Sequence, residues 1–296
     1  SQPPSAPRAP IYPLDGGEAN GTDIVFQWTA ANDPDGDAIG SSLGLWHYMK
    51  EKNKDCAIVV NDAAPDFLDF LPAVKQIRVF ETNQQQSIDL IKGADLLFCT
   101  DYSQLYRCGD LQTYIESSTA TKVVIDHHPD PDSNFHFMYH EVAASSTAEL
   151  VFLLIKETDP GYIFSKNTAS CLYTGLMSDT GCFRHAIRPQ TFAVAAELLK
   201  TGISYELLVS NLFDTNTPER IKLIGFALNE KMKILGDYRT AYISISFEES
   251  EKLRLKKGDT EGLVNYTLSI PNTVMGAFFH EREKGKTKIS FRSKGN

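Results

Sequence analysis

Cysteine is scarce in this sequence, and no two cysteines stand at a metal-binding spacing. The five are Cys56, Cys99, Cys108, Cys171 and Cys182. Structural zinc modules place their thiols in close pairs, so nothing here points to one. Cys99 and Cys171 sit in apolar runs, where a thiol packs as a small hydrophobe. The set reads as the reduced core thiols of a cytoplasmic protein. Long apolar runs are missing too, and none approaches the roughly 20 residues that a membrane-spanning helix needs. A basic surplus is also absent. Lysine and arginine number 29 against 38 aspartates and glutamates, a net charge of −9. A surface that coats nucleic acid carries the opposite balance, so neither duplex DNA nor a membrane is an expected partner. Residues 1–21 are rich in proline, glycine and small polar residues and lack the apolar core of a secretory signal. They read as an irregular arm.

What is present suffices for a folded core: 42% of the 296 residues are hydrophobic and 23% charged. Short apolar runs alternate with segments of helical spacing. "DIVFQWTA" (23–30) reads as a strand, followed by a helix on which Ile39, Leu43, Trp46 and Met49 share a face. "CAIVV" (56–60), "QIRVF" (76–80), "ADLLFCTD" (94–101) and "KVVIDHH" (122–128) read as further strands, with helical "PDFLDFL" and "QQSIDLIKG" between them. Helices are expected over 145–158, 165–177 and 189–201. This alternation predicts an α/β domain over 22–213, a parallel sheet with helices on both faces. Thr217 and Pro218 look like an N-cap and first helical residue, so 214–232 is predicted as a helical linker. Residues 233–296, with "YRTAYISIS", "NTVMGAFFHERE" and "KTKISFRS", read as a smaller α+β domain. "EREKGKTK" (281–288) is expected to be a solvated hairpin turn.

Acids and imidazoles fall where such a sheet ends. In parallel α/β sheets ligands bind beyond the carboxyl ends of the strands. Here those ends carry Asp33, Asp35 and Asp37, then Asp101, then Asp126, His127 and His128, and a helix end adds Asp179. One such aspartate is commonplace as a cap or turn residue. Several at one edge would repel each other and raise each other's pKa unless cations lay between them. Oxygen ligands with one or two imidazoles suit Mn²⁺ or Mg²⁺. A calcium loop starting at Asp33 is excluded, because its sixth and twelfth positions are Ala38 and Gly44, not Gly and Glu. Asp101, alone at its strand end, is the natural carboxylate to bridge two ions.

Taken in order, "DPDGDAIGSSLGL", "LLFCTDYSQLYR", "VVIDHH", "ASSTAELV" and "YTGLMSDTGCFRH" resemble the motifs of the DHH phosphoesterases. "KKGDTEGLVNY" and "KISFRSKG" resemble the family's substrate-binding DHHA1 module. The likeness spans 22–296. It is greatest to the branch that degrades nanoRNA and dephosphorylates 3′-phosphoadenosine 5′-phosphate (pAp), whose sequences are often labelled exopolyphosphatase-related. The resemblance implies two Mn²⁺ ions, with Mg²⁺ as the substitute. Asp35 would ligate one and Asp37 the other, Asp101 would bridge them, and His127 with Asp179 would complete the second ion's shell. His128 would stand beside the reacting phosphate. Asp126 would orient a neighbouring histidine, and Arg107, Arg292 and Ser293 would bind substrate phosphate. His136, His140, His185 and His280 lie outside the matched motifs and read as structural or surface residues.

The implied activity is hydrolysis of short RNA oligonucleotides, linear dinucleotides or pAp by water activated between two metals. The substrate would lie between the two domains, and a homodimer is implied. Two departures keep alternatives open. Ala31 stands where the family's first motif has a metal-binding histidine, and the sequence ends at Asn296, before the family's glycine-rich GGGH motif, so the DHHA1 module is expected to be incomplete. The alternatives are an exopolyphosphatase or pyrophosphatase, and a catalytically weakened nucleotide-binding protein. If Ala31 is the limiting defect, Ala31→His should raise Mn²⁺-dependent hydrolysis of pAp. Unchanged turnover in a folded variant would count against that account of position 31.

Overall fold

The computed structural model describes residues 23–27 (backbone only), 34–256, 258–260 and 262–294. The arm 1–21, Ala31 and Asp33 lie outside them. The chain divides into two compact units, the first ending at Asp214 and the second beginning at Thr215.

The first unit holds β1 (Asp23–Gln27), α1 (Gly36–Glu51), β2 (Asp55–Val60), β3 (Arg78–Val79), α2 (Gln84–Gly93) and β4 (Leu96–Thr100). It continues with α3 (Gln112–Ser117), β5 (Thr121–Asp126), β6 (Phe137–His140), α4 (Thr147–Thr158), α5 (Lys166–Asp179), α6 (Pro189–Leu199) and α7 (Tyr205–Phe213). Six strands form one sheet in the order β3-β2-β1-β4-β5-β6, and every neighbouring pair is parallel. Chain order runs outward from β1 to β3, then returns to the centre and runs outward again through β4. The switch between the two directions falls between β1 and β4, where sheets of this kind open a crevice at their carboxyl edge. Helices α1, α4 and α5 pack together, and α2 packs with α3. The α/β fold with a parallel sheet is thus as the alternation predicted. The predicted helix "PDFLDFL" is one turn of 3₁₀ helix, Asp66–Leu68. Strand β6 and helices α3 and α7 had no clear periodic signal; β6 has only four residues at the sheet edge.

Every residue of helix α1 from Gly36 to Met49 is buried. The helix meets β2 and β4 of the sheet and, besides these, α4 and α5. The second contact requires small residues. A Cβ at Gly40 would stand 2.5 Å from the carbonyl oxygen of Cys171 and 2.7 Å from the amide of Gly175. A Cβ at Gly175 would stand 2.7 Å from both Asp37 Oδ1 and the Cβ of Ala148. Backbone therefore lies against backbone where α1 and α5 cross, next to Asp37.

The second unit comprises α8 (Pro218–Phe226), β7 (Met232–Leu235), β8 (Thr240–Ile245), α9 (Phe247–Leu253), α10 (Leu263–Leu268), β9 (Met275–Glu283) and β10 (Lys286–Ser293). Its sheet runs β10-β9-β8-β7, with β8 and β9 parallel and the outer pairs antiparallel. Thr217 caps α8 by accepting from the amide of Arg220 at 3.1 Å, with Pro218 at the first helical position. The segment read as a linker supplies Leu223 and Ala227 to this unit's core, beside Ile243, Ile245, Leu263, Val264 and Phe278. Helices α9 and α10 occupy stretches of the predicted α+β domain to which no element was assigned from the sequence. Ser246 and Glu249 form a reciprocal capping box at the start of α9, a signal present in the sequence.

Gly40→Ala tests the α1–α5 contact. Because the added methyl meets backbone that cannot rotate away, it should cost about 1–3 kcal/mol of stability. Urea or thermal denaturation reads the loss, and a wild-type midpoint would mean that the two helices have room to separate.

Candidate metal centre

The carboxyl edge of the sheet collects the acids at its switch point. Asp35 and Asp37 follow β1 at the start of α1, Asp101 follows β4, and Asp126 closes β5. Asp179 is the last residue of α5.

Each of these side chains is held by a different device. Asp35 is the N-cap of α1, and its Oδ1 accepts from the amides of Asp37 and Ala38, both at 3.0 Å. Asp37 is fully buried and receives the opposite helix end, with Oδ2 accepting from the amide of Thr147 at 2.6 Å and Oδ1 from that of Ala148 at 2.9 Å. These are the first amides of α4, whose N-cap is Ser146. Orphan amides at a helix start are a ready seat for an anion. Asp101 is 3% exposed and has a left-handed backbone (φ 65°). Aspartate tolerates this conformation better than most residues. Its amide donates to Ile125 O at 3.0 Å, and its Oδ1 accepts from Thr147 Oγ1 at 2.9 Å.

The two histidines are fixed from opposite sides. Nδ1 of His127 faces the carbonyl of Ala144 at 3.3 Å and donates to it. Its Nε2 then lies 3.0 Å from Asp179 Oδ2 and 3.8 Å from Asp101 Oδ1. Nδ1 of His128 donates to Asp126 Oδ1 at 2.8 Å, and its backbone carbonyl accepts from His140 Nε2 at 2.6 Å. His140, which sequence reading set aside, therefore supports this loop.

Burial, with the neighbouring Asp179 charge second, holds the Asp37 carboxyl well above its ordinary range. Burial and then Asp37 and Asp35 do the same to Asp101. Burial also disfavours a charged His127, yet the hydrogen bond to Asp179 and the charges of Asp37, Asp179 and Asp126 outweigh it and push its pKa up to about 9. Asp126 alone moves the other way. Burial raises it, but the contact with His128 holds it below the usual carboxylate range.

Two donor groups emerge. Asp101, Asp126, His127 and His128 each offer a ligand atom within 4.8 Å of the others, and so do Asp37, His127 and Asp179. His127 belongs to both. The buried Nε2 of His127 faces two carboxylates, Asp179 at 3.0 Å and Asp101 at 3.8 Å. A ring nitrogen turned towards acids that repel each other fits a divalent cation. Oxygen donors with imidazole suit Mn²⁺ or Mg²⁺, and all five thiols are free, with four of them buried.

Other predicted residues lie elsewhere. Asp35 belongs to neither donor group. Arg107 is half-buried on the 3₁₀ turn Leu105–Leu111, beyond Asp101. Arg292 and Ser293 are exposed on β10 in the second unit. His47 Nε2 donates to Pro72 O at 3.1 Å, outside the cluster. His185 is exposed beside Gly181. Sequence reading missed Thr147, which touches both Asp37 and Asp101, and it missed Arg188. Glu149 was seen but given no role. It is fully buried, and its carboxylate takes hydrogen bonds from Ser145, Thr191 and Arg188.

Among known proteins, residues 29–176 match the model of the DHH family, N-terminal domain. The crystal structure of an exopolyphosphatase-related protein from Bacteroides fragilis is 36% identical, covering 93% of this chain and 80% of that one with a TM-score of 0.88. The bifunctional oligoribonuclease and PAP phosphatase NrnA of Thermus thermophilus is 29% identical over 89% of this chain and 74% of its own. Its namesake in Bacillus subtilis is 27% identical over 88% of this chain and 79% of its own.

The raised His127 has a measurable consequence. A proton held up to about pH 9 competes with any cation at Nε2, so Mn²⁺ affinity should climb as pH rises from 6.5 towards 9, by at most about tenfold per unit for one proton. Calorimetric titration in buffers of different ionisation enthalpy counts the proton released. Affinity independent of pH over that range would remove His127 from the ligand set.

Proposed function

Because the chain belongs to the DHH family, we propose that it is a Mn²⁺-dependent phosphoesterase acting on short RNA oligonucleotides, linear dinucleotides and pAp. The observation that carries this reading is the pair of donor groups sharing His127 at the switch point of the sheet. Similarity to proteins named as oligoribonuclease and PAP phosphatase supports the substrate class.

In this reading Asp35, Asp37, Asp101, His127 and Asp179 would hold the cations. Bound Mn²⁺ supplies Lewis acidity towards water and phosphate oxygen. The protein's own groups do the rest. Amides of Thr147 and Ala148 fix Asp37, and the Thr147 hydroxyl fixes Asp101. Asp126 holds Nδ1 of His128, so Nε2 is the atom that ring can turn to the scissile phosphate. Side-chain donors of Arg107 bind phosphate oxygens. Arginine suits that task because its planar fork matches two oxygens at once.

Ala31 favours a second reading, a nucleotide-binding protein with weakened catalysis, because alanine has no lone pair to give a cation. One assay separates the two: hydrolysis of pApA, pAp and linear polyphosphate with added Mn²⁺, beside Asp101→Asn. Turnover of the adenylates that Asp101→Asn reduces by two or more orders of magnitude is the expected result. Adenylate binding without turnover would promote the second reading, and turnover of polyphosphate alone would replace the substrate class.

A further inference from the structure

The candidate ligands do not hold themselves in place, and three of them lean on residues 144–149. The Ala144 carbonyl meets His127, the amides of Thr147 and Ala148 meet Asp37, and the Thr147 hydroxyl meets Asp101. That stretch is fastened from its far side by an ion triad. Glu149, in the first turn of α4, is fully buried, and its Oε2 accepts from Ser145 Oγ at 2.6 Å and Thr191 Oγ1 at 2.7 Å. Its Oε1 accepts from Arg188 Nε at 2.6 Å and lies 2.5 Å from Arg188 Nη2. The same guanidinium turns Nη1 to Glu141 Oε1 at 2.5 Å. The amide of Glu141 in turn donates to the carbonyl of Asp126 at 3.3 Å.

One planar cation thus ties the start of α4 to the chain just past β6, and each tie ends on a candidate ligand or its neighbour. A lysine has no fork with which to reach two carboxylates in fixed directions. Arg188 also stands beyond the residues that the family model matches.

We propose that Arg188 is a positioning residue of the metal centre. Through Glu149 it sets the first turn of α4 against Asp37 and Asp101, and through Glu141 it steadies the strand end that carries Asp126. The proposal rests on the reading of the cluster as a metal centre. Without Arg188, the buried Glu149 carboxylate loses its only charged donor among the described hydrogen bonds. It would then move or take up a proton, and the amides that seat Asp37 would move with it.

The test is direct titration of free Mn²⁺, followed by electron paramagnetic resonance, on the full chain and on Arg188→Met and Arg188→Lys. Partners outside the ligand set commonly alter metal affinity by about 10–100-fold. Arg188→Met should raise the Mn²⁺ Kd about tenfold or more, with Arg188→Lys between it and wild type. KM for pAp at saturating Mn²⁺ should stay as in wild type. A folded Arg188→Met protein with unchanged Mn²⁺ Kd would overturn the proposal. So would a raised KM with unchanged Mn²⁺ Kd, which would make Arg188 a substrate contact instead. Should Arg188→Met not fold, Arg188→Met/Glu149→Gln removes the charge pair as a unit, which proteins tolerate better than loss of one partner. Wild-type Mn²⁺ affinity in that variant would be equally contrary. Failure of the wild-type chain to bind Mn²⁺ sinks the metal reading itself, and this proposal with it.

Discussion

Mutual repulsion among carboxylates at one sheet edge is the condition that the rest of the first unit has to satisfy. Two unit charges 4 Å apart interact by roughly 4 kcal/mol at the effective dielectric of a protein surface region. That is a large part of the stability of an ordinary domain. Burial and then Asp179 drive Asp37 towards its neutral form, and burial and then Asp37 do the same to Asp101. The fold answers by giving each carboxylate a polar partner: two amides for Asp37, a hydroxyl for Asp101, His127 for Asp179 and His128 for Asp126. These contacts reduce the conflict and leave it unsolved. The arrangement is worth keeping only where cations complete it.

Packing remote from the acids decides whether that answer is available. Asp37 can reach the amides of α4 only because α1 is buried on all sides, and α1 can be buried only because small residues let α5 approach. Gly175 is the point where the two requirements meet, since its missing side chain leaves room for both Asp37 and Ala148. Helix α4 then serves twice. Its first turn seats Asp37 and Asp101, and its later residues Leu150, Val151, Leu154 and Ile155 lie in the core. Stability and the site are therefore coupled through the same backbone. Cations that bind the native chain only would stabilise it by mass action.

Much of this was legible in the sequence because it is local. A strand that ends in an acid names both the element and the edge on which the acid stands, as at Asp101 and Asp126. A cap followed by proline marks α8. What could not be read is pairing across long separations. Nothing near Glu149 announces Arg188, and nothing near Asp37 announces Thr147. Each contact is between a residue and a distant helix start, and it exists only after the sheet has set the helices side by side. In α1 the periodicity showed the apolar residues Ile39, Leu43, Trp46 and Met49, all of which are buried, but Gly40 and Gly44 carry no hydrophobic signal while lying against α5. Asp35 shows a different limit, because one carboxylate can cap a helix and be a candidate ligand, and composition does not tell those roles apart.

Why an apolar strand should end in an acid and two imidazoles follows from how the three side chains divide the site. Strand β5 ends at Asp126, and the two histidines follow in the turn beyond it. His128 folds back onto Asp126, at 2.8 Å, while Nε2 of His127 meets Asp179. One imidazole gives its Nδ1 proton to a backbone carbonyl and offers Nε2 to the acids, and the other gives its Nδ1 proton to a buried carboxylate. Each hydrogen bond fixes a tautomer, and with it the single nitrogen that remains for chemistry. Ligand atoms of both rings lie within 4.8 Å of those of Asp101 and Asp126, and His127 also joins Asp37 and Asp179, so one imidazole of the run serves both donor groups and the other serves one.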